Sequence, residues 1–310
     1  MNELPVMPIG NIQKTDIRDE HMLGYFRVCA SYKDEERIEQ GDKFPIFASE
    51  LFGKAPSYWN YHLIVQLQGC PLKCPYCYVD DDGIYGLKPN YLTPKQLIGK
   101  VKEIIDTDSR LHVFHLMGGA PALYIDKWLE IIDCMYEKDL SNTIFHSDII
   151  LVEPDLRSDF FKHLREIKNT KNHLIALCLK GISEDNFEDN AGIDGRVFND
   201  CINNLYKILS TDINYYITLI NPDVQKLPDF LDGLSRMWGD KILNRMQIIK
   251  IKPFNVTKDR YNKLFSKPES EFKKLDDNYD QAMNILKQFS QKPQPAMQGT
   301  GPNLLNLYKR

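Results

Sequence analysis

From residue 57 onward, short apolar runs alternate with stretches whose apolar residues recur at helical spacing. Tyr61–Gln68 (YHLIVQLQ), Leu111–Met117 (LHVFHLM), His173–Lys180 (HLIALCLK), Asn214–Ile220 (NYYITLI) and Met246–Lys252 (MQIIKIK) read as β-strands, and a further strand lies within Thr143–Val152. Helices are expected from Thr93-Pro94, over Tyr124–Glu137, Asp155–Lys168, Gly195–Leu209 and Pro228–Trp238, and last over Glu271–Gln288. Thr93 suits the cap of its helix and Pro94 the first turn. Near-continuous apolar runs are what strands buried on both faces require, and parallel strands need crossovers as long as these. Six such units fall short of the eight of a closed barrel. The expectation is therefore an α/β fold, a partial (β/α)6 barrel of parallel strands at 57–255. An N-terminal extension (1–56) precedes it and a C-terminal helix and tail (256–310) follow. The extension is polar and weakly periodic, with some helix around Lys33–Gln40. The tail is rich in Pro and Gly and looks loosely held. In such a fold ligands sit at the C-terminal strand ends.

Composition narrows the class only a little. Of 310 residues 43% are hydrophobic, enough for one large core. A net charge of -4 disfavours nucleic acid as a partner. No apolar run approaches the roughly 20 residues that span a bilayer. The N-terminus lacks the charged-then-apolar order of a secretory signal. The expected location is the cytoplasm. The seven cysteines are then not a disulfide framework.

Three of those cysteines change the picture. Cys70, Cys74 and Cys77 crowd into one loop at the end of the first strand. Cys29, Cys134 and Cys201 are scattered and read as small buried hydrophobes. Three thiolates cannot complete an iron–sulfur cluster of the kind held by four cysteines, so one metal position stays open. The competing reading is structural zinc, which wants four closed ligands. His62 and His115 are available as a fourth, but both would lie inside strands rather than beside the loop.

The pattern resembles the radical S-adenosylmethionine (SAM) superfamily. Cys70-Pro-Leu-Lys-Cys74-Pro-Tyr76-Cys77 is similar to its CxxxCxxC signature, including the aromatic before the last cysteine. Gln68-Gly69-Cys70, followed by Gly118-Gly119-Ala120-Pro121, resembles pyruvate formate-lyase activating enzymes, whose GGEP turn carries Glu where Ala120 stands here. Leu177-Cys178-Leu179-Lys180 is similar to their Leu-Asp-Leu-Lys, with Cys178 in the acid's place, and Lys252-Pro253-Phe254 resembles their last-strand exit. The resemblance implies that Cys70, Cys74 and Cys77 hold a 4Fe–4S cluster whose open iron chelates SAM. Reductive cleavage would then give a 5′-deoxyadenosyl radical that takes hydrogen from a substrate. It implies an electron donor such as flavodoxin or ferredoxin. Gly118 and Gly119 would let backbone approach the SAM ammonium, with Ala120 and Pro121 completing the turn. Lys180 would balance the SAM carboxylate or contact the ribose, or it is a solvated strand-end lysine. Ser147 falls near the ribose only if its strand ends early, and Asp148 is the alternative. Tyr76 packs beside the adenine or in the core. Cys178 is a core thiol or a catalytic hydrogen-atom donor.

Three function classes stay open. The first is an enzyme acting on a small molecule or peptide. The second is an activase placing a glycyl radical on a partner protein, against which Tyr78-Val79-Asp80 stands where activases typically carry His-Asn. The third is a non-enzymatic zinc-binding interaction module. No second cysteine cluster follows Cys201, so auxiliary clusters are not expected.

Overall fold

The computed structural model describes residues 3–6, 27–29, 43–87 and 90–291. The helix expected around Lys33–Gln40 and the tail beyond residue 291 lie outside them. In chain order the elements are strands β1 (Leu4–Val6) and β2 (Arg27–Cys29), helix α1 (Phe44–Phe52), β3 (His62–Gln66), α2 (Asp81–Tyr85), β4 (Asn90–Leu92), α3 (Pro94–Ile105) and β5 (Val113–Met117). Then come α4 (Trp128–Glu137), β6 (Ile144–Ile149), α5 (Glu153–Leu156), α6 (Phe160–Lys168), β7 (His173–Leu179), α7 (Glu184–Ala191), α8 (Val197–Leu209) and β8 (Tyr215–Ile220). The last are α9 (Leu227–Trp238), β9 (Met246–Ile249), α10 (Asn255–Leu264) and α11 (Pro268–Ser290).

Strands β3, β5, β6, β7, β8 and β9 form a parallel sheet in that order. This is the six-strand parallel array of an open (β/α)6 barrel, as the apolar runs predict. The strand β2 adds to the β3 edge, antiparallel, pairing Val28 with Leu63, and β1 pairs with β4 in a separate small ribbon. Strands β3 and β7 are buried along their whole length, as expected of a sheet covered on both faces. Helix α3 starts as its sequence predicts: the Thr93 hydroxyl accepts from the Gln96 N–H, and the Gln96 side chain accepts from the Thr93 N–H, a reciprocal cap that satisfies two otherwise orphaned donors.

Two expected helices differ. Asp155–Lys168 is broken into α5 and α6, because Arg157 is extended and its guanidinium reaches Asp126, Asp159 and the Leu123 carbonyl. The first part of Tyr124–Glu137 is a 3-10 turn over Pro121–Lys127, with Tyr124 outside helical geometry, and α4 starts only at Trp128. Local periodicity yields in both places to tertiary contacts. Helix α1 lies within the stretch read as an extension, and its Phe44 and Phe47 are fully buried. Phe44 packs on His62 of β3 and His146 of β6, while the Lys43 N–H just before it donates to Gln247 on β9. Helix α1 thus lies across the N-terminal end of the barrel.

Candidate active site

Cys70, Cys74 and Cys77 all line a cavity of about 310 Å³ at the C-terminal end of the barrel. Their loop leaves β3 through Gly69, which takes φ +88°, a left-handed value that disfavours any residue with a Cβ. The Gly69 and Cys70 N–H groups donate to the carbonyls of Gly83 and Ile84 on α2, each at 2.9 Å. Lys73 N–H donates to Ala191 at the end of α7, and Gly192 beside it leaves no room for a Cβ, which would stand 2.5 Å from the Lys73 carbonyl. From the far side α10 clamps the loop: the Thr257 hydroxyl donates to the Tyr76 and Cys77 carbonyls, both at 3.3 Å, and Arg260 donates to the Cys77 and Val79 carbonyls while pairing with Asp81. Three elements far apart in sequence therefore fix one short loop, which keeps three thiols in place without a disulfide.

The Gly118-Gly119 turn follows β5 and is packed against the base of this loop. Gly118 and Gly119 take φ of +75° and +58°. A Cβ on Gly119 would stand 2.6 Å from the Gly69 carbonyl oxygen, and Ala120 N–H donates to that same oxygen at 2.8 Å. Both glycines line the cavity, whereas Ala120 and Pro121 are buried behind the turn.

Strand alternation decides the remaining candidates. Asp148, Cys178 and Lys180 face the cavity, Cys178 and Lys180 on one face as two-residue spacing requires. Ser147 does not: β6 runs on to Ile149, so Ser147 is turned to the opposite face, where its buried hydroxyl donates to the Leu116 carbonyl at 2.8 Å. Ser147, expected at the cavity if its strand ended early, is thus turned away from it, and Asp148, the alternative, lines it. Tyr76 lines the cavity and is 8% exposed; burial, reinforced by the neighbouring Cys74, holds its phenol well above the ordinary range.

The electrostatics are those of a buried thiol set that feels the Lys180 cation. Burial pushes the Cys70 thiol up to about 12 and moves Cys74 the same way, with Lys180 pulling both back. Burial works against the Lys180 ammonium, but Cys74, Cys178, Cys77 and Cys70 outweigh it and the net shift is upward. Among the described residues the Lys180 side chain makes no hydrogen bond or salt bridge. Cys178 is also pushed up, by burial first and then by Asp148. Glu153 pushes it the same way and Lys180 pulls it back.

Several residues of this site escape sequence reading. Glu153 is wholly buried; Ile150 N–H donates to its Oε1 at 3.1 Å, and Oε2 has no hydrogen-bond partner. Burial pushes its carboxyl up to about 7, against the pull of its own N–H, the Ile150 N–H and Lys180. Thr257 and Arg260 carry no motif, and their reach back to the loop depends on a turn after β9. His146 joins His62 and His115 on the inner faces of neighbouring strands, a signal present in the sequence as one histidine per strand.

The profile of the Radical SAM superfamily matches residues 64–229, over half of the chain. No curated protein matches it. Among solved structures it is similar to "Native anSMEcpe with bound AdoMet and Kp18Cys peptide", at 16% identity and TM-score 0.44, over 62% of this chain and 51% of that one. Another is "Native anSMEcpe with bound AdoMet", at 17% and 0.43, over 65% and 57%. A third is Streptococcus suis SuiB bound to precursor peptide SuiA, at 12% and 0.41, over 65% and 43%. The chain spans about half the length of these structures.

Proposed function

The chain belongs to the radical SAM superfamily, and from that premise we propose that it is an enzyme whose three loop cysteines, Cys70, Cys74 and Cys77, hold the 4Fe–4S cluster beside which SAM binds, acting on a small molecule or peptide. The observation that carries this reading is convergence. Three thiols, a glycine turn and a lysine without a salt bridge meet in one cavity, from the ends of β3, β5 and β7.

The residues fit the cofactors. Three thiols supply three ligands and leave one iron position open to another donor. A single zinc would want its ligand atoms close together, since zinc–sulfur bonds of about 2.3 Å place sulfurs under about 4 Å apart. Among the described residues, the set gathered within 4.8 Å is a histidine trio and not these thiols. When bound, the cluster and SAM supply one-electron reductive cleavage of the sulfonium, with flavodoxin or ferredoxin as the class of electron donor.

The protein's own residues bind, orient and exclude water. Lys180 offers a cation to the SAM carboxylate, a charge-assisted contact in a desolvated place. Gly118 and Gly119 expose backbone at the cavity wall, where any side chain would obstruct it. Asp148, on the strand beside that of Cys178 and Lys180 and facing the same cavity, serves a ribose hydroxyl, and Tyr76 offers an aromatic face to the adenine. Cys178 sits deeper. Its strongly raised thiol is a protonated S–H, which favours a packing role over a nucleophilic one.

The test is anaerobic reconstitution. About four iron and four sulfide per chain are expected, with release of 5′-deoxyadenosine from SAM under dithionite. Cys70→Ala, Cys74→Ala or Cys77→Ala should each lose the iron. Stoichiometric zinc in the purified protein, with no iron site that can be rebuilt, would overturn the reading.

A further inference from the structure

The floor of the same cavity carries a second set of ligands that the cluster and SAM do not use. His62, His115 and His146 sit on the adjacent strands β3, β5 and β6, all buried, all facing the barrel interior. One ring nitrogen of each lies within 4.8 Å of the other two. Three points no more than 4.8 Å apart always share a centre within about 2.8 Å of each. A cation at the usual zinc–imidazole distance of about 2.0–2.1 Å therefore needs each nitrogen to move by no more than about 0.7 Å by distance alone; the His115 and His146 rings, 3.8 Å apart between centroids and tilted by 39°, must also turn apart so that both lone pairs point at it. That is a side-chain adjustment, with no change of strand register.

We propose that His62, His115 and His146 bind a divalent first-row transition cation of the zinc class, making a second metal centre at the floor of the cavity, apart from the cysteine loop.

Four observations support the assignment. His115 is 8% exposed, and its Nε2 has no hydrogen-bond partner among the described residues; the Asp148 carboxylate Oδ1 stands 3.6 Å away. A buried polar nitrogen without a hydrogen bond is costly unless something absent completes it. The second observation is orientation from outside the trio. His62 Nε2 is 3.1 Å from the Trp59 carbonyl, which only accepts, so Nε2 carries the proton and the lone pair lies on Nδ1. His146 Nε2 is 3.0 Å from the Tyr216 hydroxyl. Carbonyl and hydroxyl partners on one nitrogen of an imidazole hold the orientation of its ring, as they do for ligating histidines. Third, the surroundings are apolar and close. Phe44 packs edge-on against His62 and tilted on His146, each at 4.5 Å between centroids, and Phe47 stacks on Tyr216 at 5.0 Å. Helix α1 therefore seals the trio from below.

The fourth is the donor count. Three imidazoles suit zinc, iron, nickel or copper rather than calcium or magnesium. Three protein ligands also leave a fourth position open, the arrangement of a metal that takes an exogenous donor rather than one that only braces the fold. The open position gives onto the cavity that the cysteine loop also lines. Water or an oxygen donor of the substrate, such as a carboxylate or hydroxyl, would occupy it. Asp148 beside His115 adds a negative charge next to the cation. The substrate class this implies is a small, oxygen-bearing molecule or side chain anchored at the floor, with its reacting carbon held toward the SAM side.

The experiment uses the full chain with its cysteine loop already loaded anaerobically with iron and sulfide, so that the loop thiols do not compete. Zinc is added at one equivalent, and the protein is desalted and analysed for metals and by zinc X-ray absorption. One zinc per chain is expected to be retained beside the iron, in a shell of nitrogen and oxygen at about 2.0–2.1 Å with no sulfur. His115→Ala should weaken zinc binding at least a hundredfold with the iron content unchanged. Tyr216→Phe, which keeps the packing and removes only the hydroxyl on His146, should weaken it about tenfold. No retained zinc in the loaded protein, sulfur in the zinc shell, or an affinity unmoved in both variants would each overturn the proposal. The iron count reports separately on the cysteine loop, so failure of either metal site is distinguishable from failure of the other.

Discussion

Replacing Glu153 by glutamine should make the protein more stable at alkaline pH and little more stable at acid pH. The carboxyl is wholly buried, with one oxygen bonded to the Ile150 N–H and the other without a hydrogen bond. Burial raises it from its ordinary 4.5 to about 7. The unfolded chain thus releases this proton at lower pH than the folded one does. Between the two values the folded state binds more protons, so stability falls as pH rises. Each tenfold difference in proton affinity between the two states is worth about 1.36 kcal/mol, so the native protein should lose roughly 2.5 kcal/mol between about pH 5 and pH 8 through this group alone. Glu153→Gln does not titrate, keeps the acceptor for Ile150 and is nearly isosteric. Urea unfolding of both proteins, prepared free of metal, at several pH values from 5 to 8 gives the difference directly, because contributions shared by both chains cancel. The gap should widen by roughly 2.5 kcal/mol toward pH 8. A gap that stays flat across that range would refute the reasoning and mean that Glu153 titrates as a solvated acid.

Gly119→Val should abolish or strongly weaken SAM binding measured by calorimetry and also lower cluster content, since its Cβ would press into the Gly69 carbonyl at the base of the cysteine loop; unchanged iron and unchanged SAM affinity would detach the turn from the site. Lys180→Ala should raise the SAM dissociation constant at least about tenfold, from the loss of a charge-assisted contact worth about 1.5–3 kcal/mol, while the iron count stays at the native value. Cys178→Ala should leave SAM affinity nearly unchanged; loss of turnover with normal SAM binding would instead give this thiol a part in the chemistry.

What the sequence made legible was whatever rests on local periodicity or on one compact motif. Strands β3 and β5 to β9 of the parallel sheet follow from apolar runs, and the cysteine loop from its spacing. Lys180 and Cys178 share a face because strands alternate, a rule that needs no tertiary knowledge. Ser147 shows the limit of the same rule: its face depends on where β6 stops, and a one-residue difference in phase turns a side chain from the cavity into the opposite layer. Arg157 broke an expected helix through contacts with residues some thirty positions earlier, which no window of local sequence contains. Arg260 and Thr257 are legible only once the return of the chain after β9 is known, because their partners lie about 180 residues away. The histidine trio was visible as three strand histidines, but their meeting depends on the lateral register of β3, β5 and β6.

Helix α1 also constrains how this chain is born. The Lys43 N–H is fastened to Gln247, 204 residues later, and chains emerge from the ribosome at about 5–20 residues per second. For roughly 10–40 seconds α1 therefore exists with the last wall of its seat not yet made. Phe44 and Phe47 spend that interval without their full enclosure, and the barrel cannot close its lower end until β9 has been translated. The nascent chain carries an unfinished greasy end for most of its synthesis, so a shortage of folding helpers, or a truncation before Met246, should show first as aggregation rather than as a smaller working enzyme.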